Sequence, residues 1–260
     1  EDAVAAARVE LEEAAAEGDD ELLMRYLDGE ALSPDEIEHG FKAAVLAGSC
    51  APVLVASATK EIGIAALLLS ISRYLPSPAE RPAISAEAGK GSEQIEANDS
   101  GPQAVFAFKT TADPFVGRLT YLRVMSGVLE SDSRIQNHSH KAEERIGTLH
   151  VMRGKEQIPV KRLHAGDLGT IPKLGKTVTG DSLGDKGHTL RFPAAQFPKT
   201  LFAVAVRPRT QADSAKMGPT LSRLCEEDPT LAHHNEAATK QTILEGMGDQ
   251  HIEIALRRAE

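Results

Sequence analysis

Val105-Phe-Ala-Phe-Lys-Thr-Thr-Ala-Asp-Pro-Phe-Val-Gly-Arg-Leu-Thr-Tyr-Leu-Arg-Val-Met-Ser-Gly-Val-Leu129 reads as two strands and two turns. Asp113-Pro114 and Gly117 separate the first apolar run from the second, and Ser126-Gly127 ends the second. Between these breaks Leu119, Tyr121, Arg123 and Met125 alternate with Thr120, Leu122 and Val124. Side chains two apart share a strand face, so the alternation predicts a strand with one face mostly buried.

Downstream the rhythm continues. Arg134–Asn137, Arg145–Met152, Ile158–Leu163, Leu168–Leu174 and Thr189–Phe192 are short strand candidates separated by glycine turns. Strands at this spacing predict a small closed antiparallel barrel, which removes exposed edges. Upstream the pattern is helical. Residues 3–28 form an amphipathic helix, interrupted near Gly18, and Ser33-Pro34-Asp35-Glu36 is a capping box that opens a helix ending at Gly48. Pro52-Val-Leu-Val-Ala56 reads as a strand buried on both faces, followed by a small-residue turn and a helix from Ile64 to Leu75. Residues 76–103 lack periodicity and read as a linker. Residues 201–260 give β-α-β-β-α, one strand short of a split-βαβ, ferredoxin-like pattern, and the sixth element is expected beyond Glu260. Gly218-Pro219 falls inside the predicted helix from Ala212 to Glu227 and implies a kink or a restart there.

The expected architecture is mixed and multidomain. Residues 1–80 are an α/β remnant with helices, 81–103 a linker, 104–197 a β-barrel, and 198–260 an α+β domain. The net charge of −9 conceals an uneven distribution: residues 1–50 carry −11, while 101–200 carry +6. A basic strand-rich block can approach phosphate backbones inside an acidic chain, although surface lysines also serve solubility alone. The most apolar run, Ile62–Leu75, is too short to span a bilayer and holds Arg73, so a soluble cytoplasmic protein is expected. Cys50 and Cys225 are far apart with no metal-like spacing, which predicts two free buried thiols.

Chemical motifs are weak. Leu174-Gly-Lys-Thr177 resembles the end of a phosphate loop, but Thr170 stands where that loop needs glycine, and no helix follows; it reads as a hairpin. Asp181-Ser-Leu-Gly184 is too short to carry weight, and no Asn-Lys-x-Asp is present. His138-Ser-His140 and His233-His234 lack a third ligand at typical spacing, so no metal site is expected. Nothing singles out a catalytic nucleophile and base.

Taken together, the segments resemble a translational GTPase of the elongation factor G family. Phe108–Arg118 and Arg123–Gly127 resemble the start of its second domain, and Glu143–Gly147, Ala165–Gly169 and Thr179–Leu183 continue it in order. Lys216-Met217, Leu221–Leu224, Glu226–Pro229 and Gln241–Gly248 resemble its third domain. The chain departs from the family at Pro219 and at Gly246-Met-Gly-Asp-Gln-His251, which points to a divergent branch. The resemblance implies that residues 1–80 end the GTPase domain, with Ser57, Ala58 and Thr59 in the loop that touches the guanine base. It implies GTP or GDP with magnesium in a longer parent protein, and none bound to this chain, since the phosphate loop and switch regions are not in it. It further implies docking on small-subunit ribosomal RNA and protein, with Lys109, Arg118, Arg123 and Arg145 as candidate docking cations, and neither membrane nor DNA as partner. A stand-alone ribosome- or RNA-binding module without a nucleotide cycle, and a ribosome-protection relative, remain open at this point.

Overall fold

The computed structural model describes residues 2–113 and 117–259; Pro114, Phe115 and Val116 of the opening stretch lie outside them. The chain divides into two compact units, Glu1–Glu80 and Arg81–Glu260.

The first unit is helical: α1 (Asp2–Ala16), α2 (Asp20–Leu27), α3 (Pro34–Ala47) and α4 (Ile64–Tyr74). The chain does break at Gly18, because Asp19 caps α2 by accepting from the Glu21 and Leu22 N–H groups. The capping box at α3 forms as expected, and Gly48 ends that helix in the left-handed conformation at φ 78°. Small residues let α1 and α3 touch backbone to backbone: a Cβ on Gly40 would lie 2.2 Å from the Ala15 carbonyl oxygen. Phe41 and Tyr74 meet edge to face, with centroids 5.0 Å apart, and fasten α4 to α3. The buried strand expected at residues 52–56 is absent. Val53 and Val55 are 91% and 93% exposed, and the nearest pairing among the described residues is an isolated bridge just past the segment, from Ser57 to Ile62. No strand among the described residues of this unit lies beside it, so its backbone has no ladder to join and its valines stay in solvent. For the same reason α4 buries no residue despite its apolar sequence.

The second unit opens with β1 (Ile84–Ala88) and β2 (Gly91–Ile95), a hairpin inside the region expected to be linker. Its inward residues Ala86 and Ile95 join Ala104, Leu190 and Phe192 in a small core, and the apolar signal was faint because alanine supplies much of it. Then follow β3 (Ala104–Asp113), β4 (Gly117–Ser126), β5 (Leu129–Glu130), β6 (Arg134–Asn137), β7 (Ala142–Arg145), β8 (Leu149–Arg153), β9 (Glu156–Val160), β10 (Arg162–Leu163), β11 (Leu168–Pro172), β12 (Ser182–Gly184) and β13 (Leu190–Arg191). Strand β4 buries Thr120, Leu122, Val124 and Ser126, with Tyr121, Arg123 and Met125 half-buried on the other face, so the predicted alternation holds from Thr120 onward, while Leu119 on that other face is buried as well.

Eight of these strands form one antiparallel sheet in the order β7-β6-β12-β3-β4-β11-β8-β9. Its inward side chains, among them Leu122, Leu149 and Leu183, share a single aliphatic core with Leu129 and Leu163 of the separate β5–β10 pair and with Ile146 between β7 and β8. Among the described residues no ladder joins β7 to β9, so the sheet is open where a closed barrel was expected. Turns occupy the seam instead. Ser131 donates its N–H to the Lys161 carbonyl and its hydroxyl to the Val160 carbonyl, both at 2.8 Å, and accepts from the Leu149 N–H. The single strand expected over Arg145–Met152 is interrupted at residues 146–148, which separate the edge strand β7 from β8.

The C-terminal part comprises β14 (Phe202–Val206), α5 (Gln211–Glu227), β15 (Ala232–Glu236), β16 (Gln241–Gly246) and α6 (Asp249–Ala259). The sheet order is β14-β16-β15, all antiparallel. Leu221 and Leu224 of α5 meet Ile252 and Ala255 of α6 over Leu244, the i, i+3 spacing of one helix face. Helix α5 runs through Pro219 without a restart; Thr210 and Asp213 form its capping box.

Candidate functional site

The four cations singled out in the sequence do not converge. Lys109 is exposed on β3 and sits across from Tyr121 of β4, while Arg123, half-buried, sits across from Phe106. Cross-strand partners share a face, so Lys109, Tyr121 and Arg123 lie together on the face turned away from the main core. A bulge between Ala107 and Lys109 lets Phe108 lie near Tyr121, with ring centroids 6.2 Å apart. Two cations beside two aromatic rings suit a polyanion that also offers flat faces. Arg118 is turned inward: its guanidinium donates to the Thr177 carbonyl and lies 3.9 Å from the Glu226 carboxylate. Arg145 is exposed on the edge strand β7, directly opposite Arg134.

In the base-contact loop, Ser57 is half-buried and exchanges backbone hydrogen bonds with Ile62, while Ala58 and Thr59 are exposed. Glu61 closes the turn at φ 55°. The histidines are used separately. His140 lies 3.3 Å from Asp181, His233 bonds Ser222, and His234 lies 3.7 Å from Glu245. Among the described residues no three His, Cys, Asp or Glu side chains are grouped to hold a metal. The cysteines are free and half-buried, where full burial was expected, and burial pushes the Cys225 thiol up.

The loop at Leu174-Gly-Lys-Thr177 does cradle an anion, and the anion is the chain's own Glu144. Oε1 accepts from the Lys176 N–H (2.7 Å), the Thr177 N–H (2.8 Å) and the Thr177 hydroxyl (2.9 Å), and Oε2 accepts from the Gly175 N–H (3.0 Å). Burial by itself raises the Glu144 pKa, but these four donors outweigh it and hold the carboxyl below the usual range. The fully buried Asn137 extends the network by donating to Thr177 Oγ1 and Asp181 Oδ2. A half-buried carboxylate, Glu227, ties α5 to the sheet: it accepts from the Ala112 N–H at 2.9 Å and pairs with Arg258 of α6.

A cleft of about 260 Å³ was not anticipated. It is lined by Gln136, His138, Lys141, Lys186, Thr189 and Arg191. Only His138 stood out in the sequence, as a metal candidate; the others come from separate strands and turns, and no local spacing marks them.

No helix among the described residues is long and apolar enough to cross a membrane. Residues 102–186 match the family model for elongation factor G domain 2, and residues 197–260 match that for elongation factor G domain III. A crystal structure of a protein from Thermus thermophilus is similar to the chain at 32% identity and a TM-score of 0.79, over 97% of this chain and 36% of that one. The chain thus spans about a third of that protein's length. The family matches run through both the large sheet and the C-terminal α+β part of the second unit, and the chain belongs to the elongation factor G family.

Proposed function

We propose that this chain is the ribosome-docking and domain-coupling part of a translation factor resembling elongation factor G, acting in the cytoplasm. The observation that carries the reading is the pair of family matches across residues 102–186 and 197–260. The +6 charge of residues 101–200 and the Lys109–Tyr121–Arg123 face support contact with small-subunit RNA. In this reading residues 1–80 end the GTPase domain, 104–197 are the second, β-rich domain, and 198–260 are a ferredoxin-like domain short of its last strand; the order β14-β16-β15 supports the last of these. Ser57, Ala58 and Thr59 would meet the guanine base of GTP or GDP in the longer protein. Holding the phosphates and magnesium needs a phosphate loop and switch residues that this chain does not contain, so the chain alone neither binds nor hydrolyses GTP. Micromolar GTP binding by the chain overturns that point.

The docking claim is tested by co-sedimentation with small ribosomal subunits over a salt series. Binding should weaken steeply with salt, and each of Lys109→Ala and Arg123→Ala should lower the log–log salt slope by about one, as expected when one phosphate is no longer neutralised. Failure to sediment at low salt refutes docking by this chain. Sedimentation with a slope that neither substitution changes refutes this face as the contact.

A further inference from the structure

We infer that the cleft between β6, the β6–β7 turn and the β12–β13 loop is a binding site for a phosphate-type oxyanion. This site does not depend on ribosome docking. Its six lining residues include Lys141, Lys186 and Arg191 and no carboxylate. His138, 3% exposed, is at the wall with its Nε2 unpartnered, and the buried Nε of Arg191 is unpartnered as well. A buried polar atom without a partner costs about 1–3 kcal/mol, and here two such atoms belong to residues lining one cleft. An oxyanion is the ligand class that accepts from a guanidinium, two ammonium groups, a hydroxyl and an amide together.

The backbone builds the cleft for side chains that are far apart in sequence. Strand β12 lies beside β6, with Gly184 across from Gln136, and a Cβ at Gly184 would lie 2.4 Å from the Gln103 carbonyl oxygen and 3.1 Å from His138 Nε2. Glycine there leaves the imidazole its place. Arg191 is fixed by donating to the His138 carbonyl at 2.8 Å, which aligns the two walls. Lys141 is held in the turn at φ 53°. The neighbouring acids are engaged elsewhere: Glu93 pairs with His188 at 2.7 Å, and Asp185 accepts from the Gln103 N–H. Glu87, across from Arg191 in register, is exposed and outside the lining. Burial and then the Arg191 charge push the His138 pKa down, so in the free protein the ring is neutral and the positive field comes from the lysines and Arg191. The cleft far exceeds the space one water needs, which leaves room for a tetrahedral anion.

The test is a titration of the full chain with inorganic phosphate at constant ionic strength, chloride being exchanged out, followed by the ring 15N shifts of His138 and the Lys186 amide. Saturable shifts in the millimolar range are expected. The double variant Lys141→Asn/Lys186→Ala, which changes only exposed side chains and keeps a residue tolerant of positive φ at 141, should raise the apparent Kd at least tenfold with its amide spectrum otherwise unchanged. A short single-stranded RNA that produces the same shifts and competes with phosphate makes the ligand a phosphodiester; phosphate binding without RNA binding makes it a free phosphate group. Both outcomes uphold the site. Absence of shifts up to tens of millimolar phosphate, equal shifts from chloride, or an unchanged Kd in the double variant overturns it.

Discussion

Replacing Glu144 tests whether the Gly175–Thr177 nest is held by an internal anion. The carboxylate is 6% exposed and accepts four hydrogen bonds, three of them from consecutive backbone N–H groups. Glu144→Ala removes the acceptor from four donors, of which the Thr177 N–H and hydroxyl are buried. An unsatisfied buried donor costs about 1–3 kcal/mol, so the Thr177 N–H and hydroxyl alone make this about 2–6 kcal/mol. Glu144→Gln keeps the shape and one acceptor oxygen. That oxygen belongs where three donors converge, so the amide NH₂ faces the Gly175 N–H; losing one charge-assisted bond costs about 1.5–3 kcal/mol. At about 2–4 °C per kcal/mol for a unit of this size, Ala should lower the melting temperature of the second unit by about 10 °C and Gln by about half that. Amide exchange at Gly175, Lys176 and Thr177 localises the effect, and a loss of about 1.4 kcal/mol in local stability speeds it tenfold.

The pH dependence has a definite sign. The folded pKa of Glu144 lies below its unfolded value, so its contribution is fully present above the ordinary glutamate range and disappears as pH falls through the lower, folded value. The Gln variant should therefore lose less stability than wild type as the pH falls through that window. An Ala variant that melts within about 1 °C of wild type, with the three amides still protected, refutes the whole account.

Two further outcomes follow from local backbone geometry. Glu227→Gln should accelerate exchange of the Ala112 amide at least tenfold while leaving the Leu244 amide unchanged, because the Ala112–Glu227–Arg258 link is local to the α5–β3 contact; equal protection in both proteins counts against it. Pro219→Ala should raise the melting temperature, since proline in a helix interior is about 3 kcal/mol worse than alanine and Pro219 has no N–H for the Ala215 carbonyl; a lower melting temperature would show that Pro219 contributes packing that exceeds its backbone penalty.

Local chemistry was legible wherever it decided structure. The Ser33 capping box, the Gly48 stop, the break at Gly18 and the alternation along β4 all depend on neighbours within a few residues, and all formed. Longer-range dependence was not legible. Pro52–Ala56 has the composition of a buried strand, yet burial needs flanking strands, and Val53 and Val55 stand in solvent. The β1–β2 hairpin was invisible because Ala, Ser, Gly and Glu give no contrast between faces; pairing with the distant strand β13 is part of what holds it. The candidate docking cations shared a charge sign but not a surface: register puts Lys109 and Arg123 together, while Arg118 is drawn to Thr177 and Arg145 lies on the edge strand β7.

The two anion cradles of this chain show why motif and site part company. Leu174-Gly-Lys-Thr177 is contiguous and looks like a phosphate loop, yet its N–H groups are saturated by Glu144, a residue on a distant strand to which the local spacing gave no pointer. An external phosphate would have to displace a carboxylate that is already desolvated and fully bonded, and the same donors cannot serve both. The cleft at His138, Lys141, Lys186 and Arg191 has no motif, because its donors come from turns and strands brought side by side by the β6–β12 pairing. His138 Nε2 and Arg191 Nε lack internal partners, and that difference in satisfaction, rather than the count of basic residues, separates a cradle built around a structural anion from one built to receive a ligand.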